Sequence, residues 1–267
     1  MSFGRIPRDT ASLVSTLPLL LPGGREGALL IHGFGGSPRE LCELGQRLCS
    51  EGFTVSIPRL PGHGTRGDDF LQTGWRDWLR AAVDAWADMK ARCDTVHVVG
   101  HSMGGILAVL LASRFPVDRL ALIAPALQAS NPLLRLTPLL GLLFRRVRGP
   151  IPGTRKVTDH DTEILAREYW SWRFPAQLAS VLHLQRMAVR ALRRVNADTF
   201  VVVGGQDRTV PTSVASLVDR RIGAANVRHL VIEGATHQTL AGDEGKRTID
   251  AVVGFLTPRG APGTVRT

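Results

Sequence analysis

Ser102 stands between two glycines in VVGHSMGG, residues 98–105, where one apolar run stops and another begins at once. A hydroxyl flanked by residues without Cβ suits a turn too tight for side chains. It also suits a serine that must stand clear of the backbone to react. TVHVV (95–99) reads as a buried strand and GGILAVLLASRF as a helix, so Ser102 lies on a strand-to-helix turn. That is the context in which G-x-S-x-G works as a nucleophile elbow. The helix then aims its N-terminal N–H groups at whatever is bonded to the serine oxygen.

A serine hydroxyl is a weak nucleophile until a base within hydrogen-bond reach takes its proton. Of the 8 histidines, His97 and His229 lie inside strand patterns, which predicts that they pack in the sheet. His160 and His183 fall in an inserted segment, and His101 belongs to the elbow itself. His237, in IEGATHQTL, follows the last strand, at the edge where open α/β sheets carry their chemistry. Asp207, in VVVGGQDRTVP, takes the same place after the preceding strand; it could cap the next helix, or fix the tautomer of the base. Ser102, Asp207 and His237 thus follow three strands in the order nucleophile, acid, base. Acyl transfer also needs N–H donors for an oxyanion. The Met103 N–H is one, and IHGFGGSP (31–38) offers a second at Phe34. The glycines around Phe34 let the backbone approach a substrate, although a glycine turn ahead of a helix accounts for them equally.

The elements that must position these residues alternate along the chain. LVSTLPLLLP reads as a first strand and turn; GALLIH (27–32), FTVSI (53–57), DRLALIA (118–124), TFVVVG (199–204) and VRHLVIE (227–233) read as further strands. SPRELCELGQRLCSEG is a helix with Ser37 as N-cap, Pro38 in the first turn, Glu40 closing a capping box and Gly52 as the stop. Further helices are expected near Trp75–Arg92, Pro211–Ile222 and Asp243–Leu256. The fold class is therefore α/β, a mostly parallel sheet with helices on both faces. Residues 1–125 and 199–267 form its core, and 126–198 a small helical cap insertion. In the cap, NPLLRLTPLLGLLFRRVR is densely apolar but broken by Pro138 and Gly141. VLHLQRMAVRALRRV carries Val181, Leu184, Ala188, Ala191 and Leu192 on one face and four arginines on much of the other. The tail after Pro258 reads as disordered.

Composition bounds the partners. The apolar fraction of 44 % in 267 residues is that of an ordinary globular protein. No apolar run approaches the roughly 20 residues that span a bilayer, and no cleavage site follows the N-terminal leucines, so a cytoplasmic protein is expected. Cys42 and Cys49 are too far apart on one helix for a disulfide and Cys93 is alone. No Cys/His cluster suggests zinc. Neither a metal nor an organic cofactor is expected. The net charge of +10 is concentrated in 128–198, with 12 Lys/Arg against 5 Asp/Glu. No nucleic-acid module accompanies it, so no nucleic-acid partner is expected. The surplus reads as a solvated arginine face with at most weak contact to anionic lipid.

HGFGGSP, PGHG, GHSMGG, GQDRTVP and GATH, spread from about Gly27 to Phe255, together resemble the α/β-hydrolase superfamily. RLPGHGTRGDDFLQTGWRDWL resembles more narrowly the bacterial carboxylesterases related to monoacylglycerol lipases. The resemblance implies the triad Ser102, Asp207, His237 and an oxyanion hole from the Phe34 and Met103 N–H groups. The serine sets the chain apart from dehalogenases and epoxide hydrolases of this fold, which use aspartate. The expected activity is hydrolysis of short- to medium-chain acyl esters, monoacylglycerols among them. Leu136, Leu139, Leu140, Leu143 and Phe144 would line the acyl pocket and YWSWRF (169–174), with Trp170, would close it. The alternative is that both simply pack the cap on the sheet. Thioester hydrolysis with the basic cap receiving an anionic carrier stays open, as does a lipase with LLRLTPLLGLLFRR as its lid. So does a non-catalytic binding protein on the same scaffold.

Overall fold

The computed structural model describes residues 14–151 and 158–257; the tail after Pro258 lies outside them. Its sheet is built from β1 (Leu19–Leu21), β2 (Glu26–Ile31), β3 (Thr54–Ile57), β4 (Thr95–His101) and β5 (Arg119–Ile123). Between β5 and the return of the chain lie a two-residue pair, β6 (Val147–Arg148) and β7 (Trp172–Arg173), and then β8 (Asp198–Gly204) and β9 (Val227–Ile232) complete the sheet. The spatial order is β1-β3-β2-β4-β5-β8-β9. Only β1 runs antiparallel, against β3; the remaining neighbours are parallel. β4 lies in the middle, and its residues face two separate cores, Val96 and Val98 on one side and Val99 on the other. A strand buried on both faces reads as a largely apolar run, and in TVHVV only Thr95 and His97 depart from it, His97 itself being buried.

Helices α1 (Cys42–Ser50), α2 (Gly67–Leu71), α3 (Trp75–Arg92) and α4 (Met103–Ala112) follow the early strands. The inserted segment contributes α5 (Thr137–Leu143), α6 (His160–Leu165) and α7 (Pro175–Ala191); α8 (Val214–Arg221) and α9 (Gly242–Leu256) follow β8 and β9. Every residue of α4 is buried. MGGILAVLLA has no polar stripe, and a helix apolar all round needs cover on every side. The sheet covers one side, α3 and α7 the rest. Leu184, Ala188 and the following Leu192 are fully buried there, while Arg186, Arg190, Arg193 and Arg194 face outward.

Two local expectations are corrected. The helix expected from Ser37 opens as a 3-10 turn, Pro38–Leu41, and Ser37 makes no capping bond. The Glu40 carboxylate points instead toward the Gly33 N–H and His101, each 3.5 Å away. A half-enclosed carboxylate gains more from those buried groups than from a solvated helix end. His229 is not packed inside the sheet: β9 is an edge strand, and the ring pairs with Asp219 at 2.9 Å. His97 is buried as expected.

The loops at the catalytic edge are stapled by neutral histidines. His32 Nδ1 lies 2.9 Å from the Gly33 carbonyl, and its Nε2 accepts from the Leu60 N–H at 3.1 Å. His63 packs edge-on among Phe34, Phe70 and Trp78. Burial, reinforced by the neighbouring His32, pushes His63 down to about 3. Burial likewise pushes His97 down to about 4. An unfolded chain protonates both near 6.5, so between those limits it binds protons that the folded chain refuses. Stability therefore rises with pH across the window and is lost on acidification, by up to about 1.4 kcal/mol per pH unit per site. The urea midpoint is expected to fall steadily from pH 7 to pH 5, and a flat midpoint would contradict the assignment. The ion-paired Asp94 and Asp159 titrate below 3.8 and add nothing in that range.

Candidate active site

Ser102 follows β4 directly and has φ 54°, ψ −114°, a left-handed backbone that a serine adopts only under constraint. The constraint is visible. Its N–H donates to the Ile123 carbonyl at 2.9 Å, and its carbonyl accepts from Gly105 and Ala126, each at 3.0 Å. Gly100 and Gly104 permit the turn: a Cβ on Gly104 would strike the Ile31 carbonyl, and one on Gly100 the Gly104 carbonyl.

The chain brings Ser102, Asp207 and His237 together from three strand ends. His237 Nε2 lies 2.9 Å from Ser102 Oγ, and Nδ1 lies 2.7 Å from Asp207 Oδ2. Asp207 Oδ1 accepts from the Thr209 N–H at 2.7 Å and the Val210 N–H at 2.9 Å. Asp207 does not cap α8, whose N-cap is Ser213; one of its oxygens braces the turn ahead of that helix and the other faces the ring. Burial alone would raise the Asp207 carboxyl, but His237 and the two N–H donors outweigh it and hold it below its ordinary value. An ionised carboxylate only accepts, so Nδ1 carries the ring proton and Nε2 is left to accept from the serine O–H.

Phe34, Met103, Ser102 and His237 border a cavity of about 200 Å³. Among the described residues, neither the Phe34 nor the Met103 N–H donates to a backbone carbonyl. Behind the triad stands a pair that sequence reasoning missed. His101 Nε2 lies 3.2 Å from the His237 carbonyl, and His101 Nδ1 faces Glu40. Through Glu40 the pair also reaches Gly33, beside Phe34. The signal was present only in the strand period, which sends His101 to the opposite side of β4 from Val98.

A model of the alpha/beta hydrolase family matches residues 28–251. The chain belongs to the alpha/beta hydrolase family. It is similar to the thermostable monoacylglycerol lipase of Bacillus sp. (strain H-257), 28 % identical over 223 residues, 82 % of this chain and 86 % of that one. The carboxylesterase of Bacillus subtilis (strain 168) is 29 % identical over 106 residues, 39 % of this chain and 43 % of its own. Among solved structures, one from work on the metagenome-derived lipolytic enzymes LipS and LipT superposes with a TM-score of 0.82 at 25 % identity, over 91 % of this chain and 98 % of that one. The fold also matches the monoacylglycerol lipase of Paleococcus ferrophilus, with a TM-score of 0.72 at 19 % identity, over 90 % and 97 % of the two chains.

In this alpha/beta hydrolase the expected acyl-pocket residues are not where apolarity suggested. Leu136, Leu139, Leu140, Leu143 and Phe144 are exposed, and none borders the cavity at Ser102. Leu139, Leu140 and Leu143 sit on α5, a short helix packed against α7, and Leu136 and Phe144 flank its two ends. The apolar wall comes instead from Leu134, Leu178, Val181, Leu182 and Val210. Trp170 does not close that cavity either. It borders a second one, of about 420 Å³, with Gly35, His101 and Gln238 on the far side of the Phe34 loop. The rest of YWSWRF anchors the insertion: Tyr169 donates to the Gly62 carbonyl at 2.5 Å and packs with Phe174 around Phe70. Among the described residues, no group of three His, Cys, Asp or Glu side chains could hold a metal ion.

Proposed function

We propose that this alpha/beta hydrolase is a serine carboxylesterase for short- to medium-chain acyl esters, monoacylglycerols among them. The observation that carries the reading is the unbroken line Asp207–His237–Ser102 ending in a small apolar cavity. His237 Nε2 takes the serine proton as Oγ attacks the ester carbonyl. The Phe34 and Met103 N–H groups receive the oxyanion, a contribution of about 3 kcal/mol each in comparable sites. The alcohol leaves with the proton from His237, and water then repeats the sequence on the acyl-serine. Asp207 stays ionised throughout and stabilises the imidazolium. Segment 126–198 acts as a cap over the core, roofing the cavity with Leu134, Leu178, Val181 and Leu182. A volume of about 200 Å³ is below the usual range for drug-sized ligands and favours short chains. The names of the two Bacillus relatives support an ester as substrate.

Hydrolysis of p-nitrophenyl esters from acetate to palmitate, beside the same series with Ser102→Ala, tests the proposal. Activity peaking at short or middle chains and absent in the variant is expected. Equal activity in the variant would mean another nucleophile, and no activity on any chain with an unreactive Ser102 would leave a binding protein on a hydrolase scaffold. Val181→Trp is expected to move the preferred chain shorter by at least two carbons, roughly the length of the added ring. An unchanged preference would place the acyl chain elsewhere.

A further inference from the structure

Large apolar side chains are seldom exposed together on one face of a monomer unless something binds there. Among the described residues, nine of the twelve exposed large apolar side chains fall between Leu133 and Ile151. They include Leu133 at 66 %, Leu142 at 83 % and Leu143 at 69 % exposure. α5 is packed on α7 along one side only, so the leucines project outward from the cap. The same stretch, residues 126–151, holds Arg135, Arg145, Arg146 and Arg148 and no Asp or Glu. All four arginines are exposed, with Arg146 and Arg148 stacked over Trp172 at 4.4 and 6.0 Å. Glu168 is engaged by the Gly67 N–H at 3.0 Å and by Arg167 at 3.4 Å.

We propose that this face of the cap docks on the surface of an anionic phospholipid bilayer. Exposed leucines and arginines on one stretch match the two layers of a membrane interface, acyl chains below and phosphates above. A docked protein would favour this occupant over another protein surface because the arginines have no acidic counterpart within the stretch. The short α5 lies along the interface; among the described residues no helix is long and apolar enough to cross. Leu134, on the same turn as Leu133, borders the cavity at Ser102. Docking therefore sets the roof of that cavity against the lipid, the phase in which an apolar ester is concentrated. The docking itself depends on the surface alone and holds whatever Ser102 does.

Flotation of the full chain with phosphatidylcholine vesicles, with and without phosphatidylglycerol, tests this. Binding to the anionic vesicles, weakened by salt, is expected for the wild type and equally for Ser102→Ala. Leu133→Ser with Leu142→Ser, and separately Arg135→Glu with Arg145→Glu, should each weaken it at least about tenfold without lowering the melting temperature. Absence of binding, or binding that both double variants retain, would overturn the proposal. So would a concentration-dependent dimer in sedimentation that the leucine variant dissolves, since a second copy would then cover the face.

Discussion

Asp207→Asn is expected to lower kcat on p-nitrophenyl butyrate about 10⁴-fold, with KM and melting temperature nearly unchanged. The structure says which way the new amide must turn. Oδ1 accepts from the Thr209 and Val210 N–H groups, so the amide oxygen takes that place and the NH2 faces His237. Nδ1 must then accept, the ring proton moves to Nε2, and the nitrogen that faces Ser102 can no longer take a proton. The loss arises from an inverted tautomer, in a site that otherwise keeps its shape. A fall of less than tenfold would mean that another group orients His237 or that the base lies elsewhere.

Gly104→Val is expected to give the largest loss of stability of any single change at the site. A Cβ at position 104 would lie on the Ile31 carbonyl, and Ile31 is held by its parallel pairing opposite Gly100. Relief requires α4 to move off β2, opening the centre of the core that α4 fills. We expect more than about 4 kcal/mol of destabilisation and a melting temperature lower by about 10 °C or more. Gly254 in α9 is the control, since nothing lies within 4 Å of a Cβ there. Gly254→Ala should be neutral or stabilise by up to about 1 kcal/mol, the difference in helix propensity. Equal behaviour of the two variants would remove close packing as the reason for Gly104.

Ser102, Asp207 and His237 were legible as candidates because each is written locally, as a strand followed by a turn with a distinctive residue. Parallel strands then converge on one edge, so chain order alone predicts that the three meet. The cap was not legible for the opposite reason. Apolarity predicts burial, whereas in Leu136, Leu140, Leu143 and Phe144 it marks an exposed face. Leu178 and Leu182, which do border the cavity, share α7 with Leu184 and Ala188, which cover α4. A helix with two occupied sides has no single stripe for a sequence to display. Glu40 misled through a real local rule: it matches a capping box, but the tertiary partners His101 and Gly33 compete for the carboxylate. His229 shows that a strand pattern does not tell an edge from a centre.

The all-apolar α4 sets a limit on how this protein can be re-engineered or diversify. Its ten residues include Met103, which borders the cavity at Ser102, and part of their outer wall is α7, which the chain adds between β5 and β8. The chain between β5 and β8 is thus divided between α7, on which the burial of α4 depends, and α5, on which it does not. Exchanging all of 126–198 for another cap would strip the first along with the second, and the chimera would have to arrive with a replacement wall. Exchange limited to 135–148 leaves both that wall and Leu134 standing, so new surface behaviour can be grafted there at little cost to the cavity beneath.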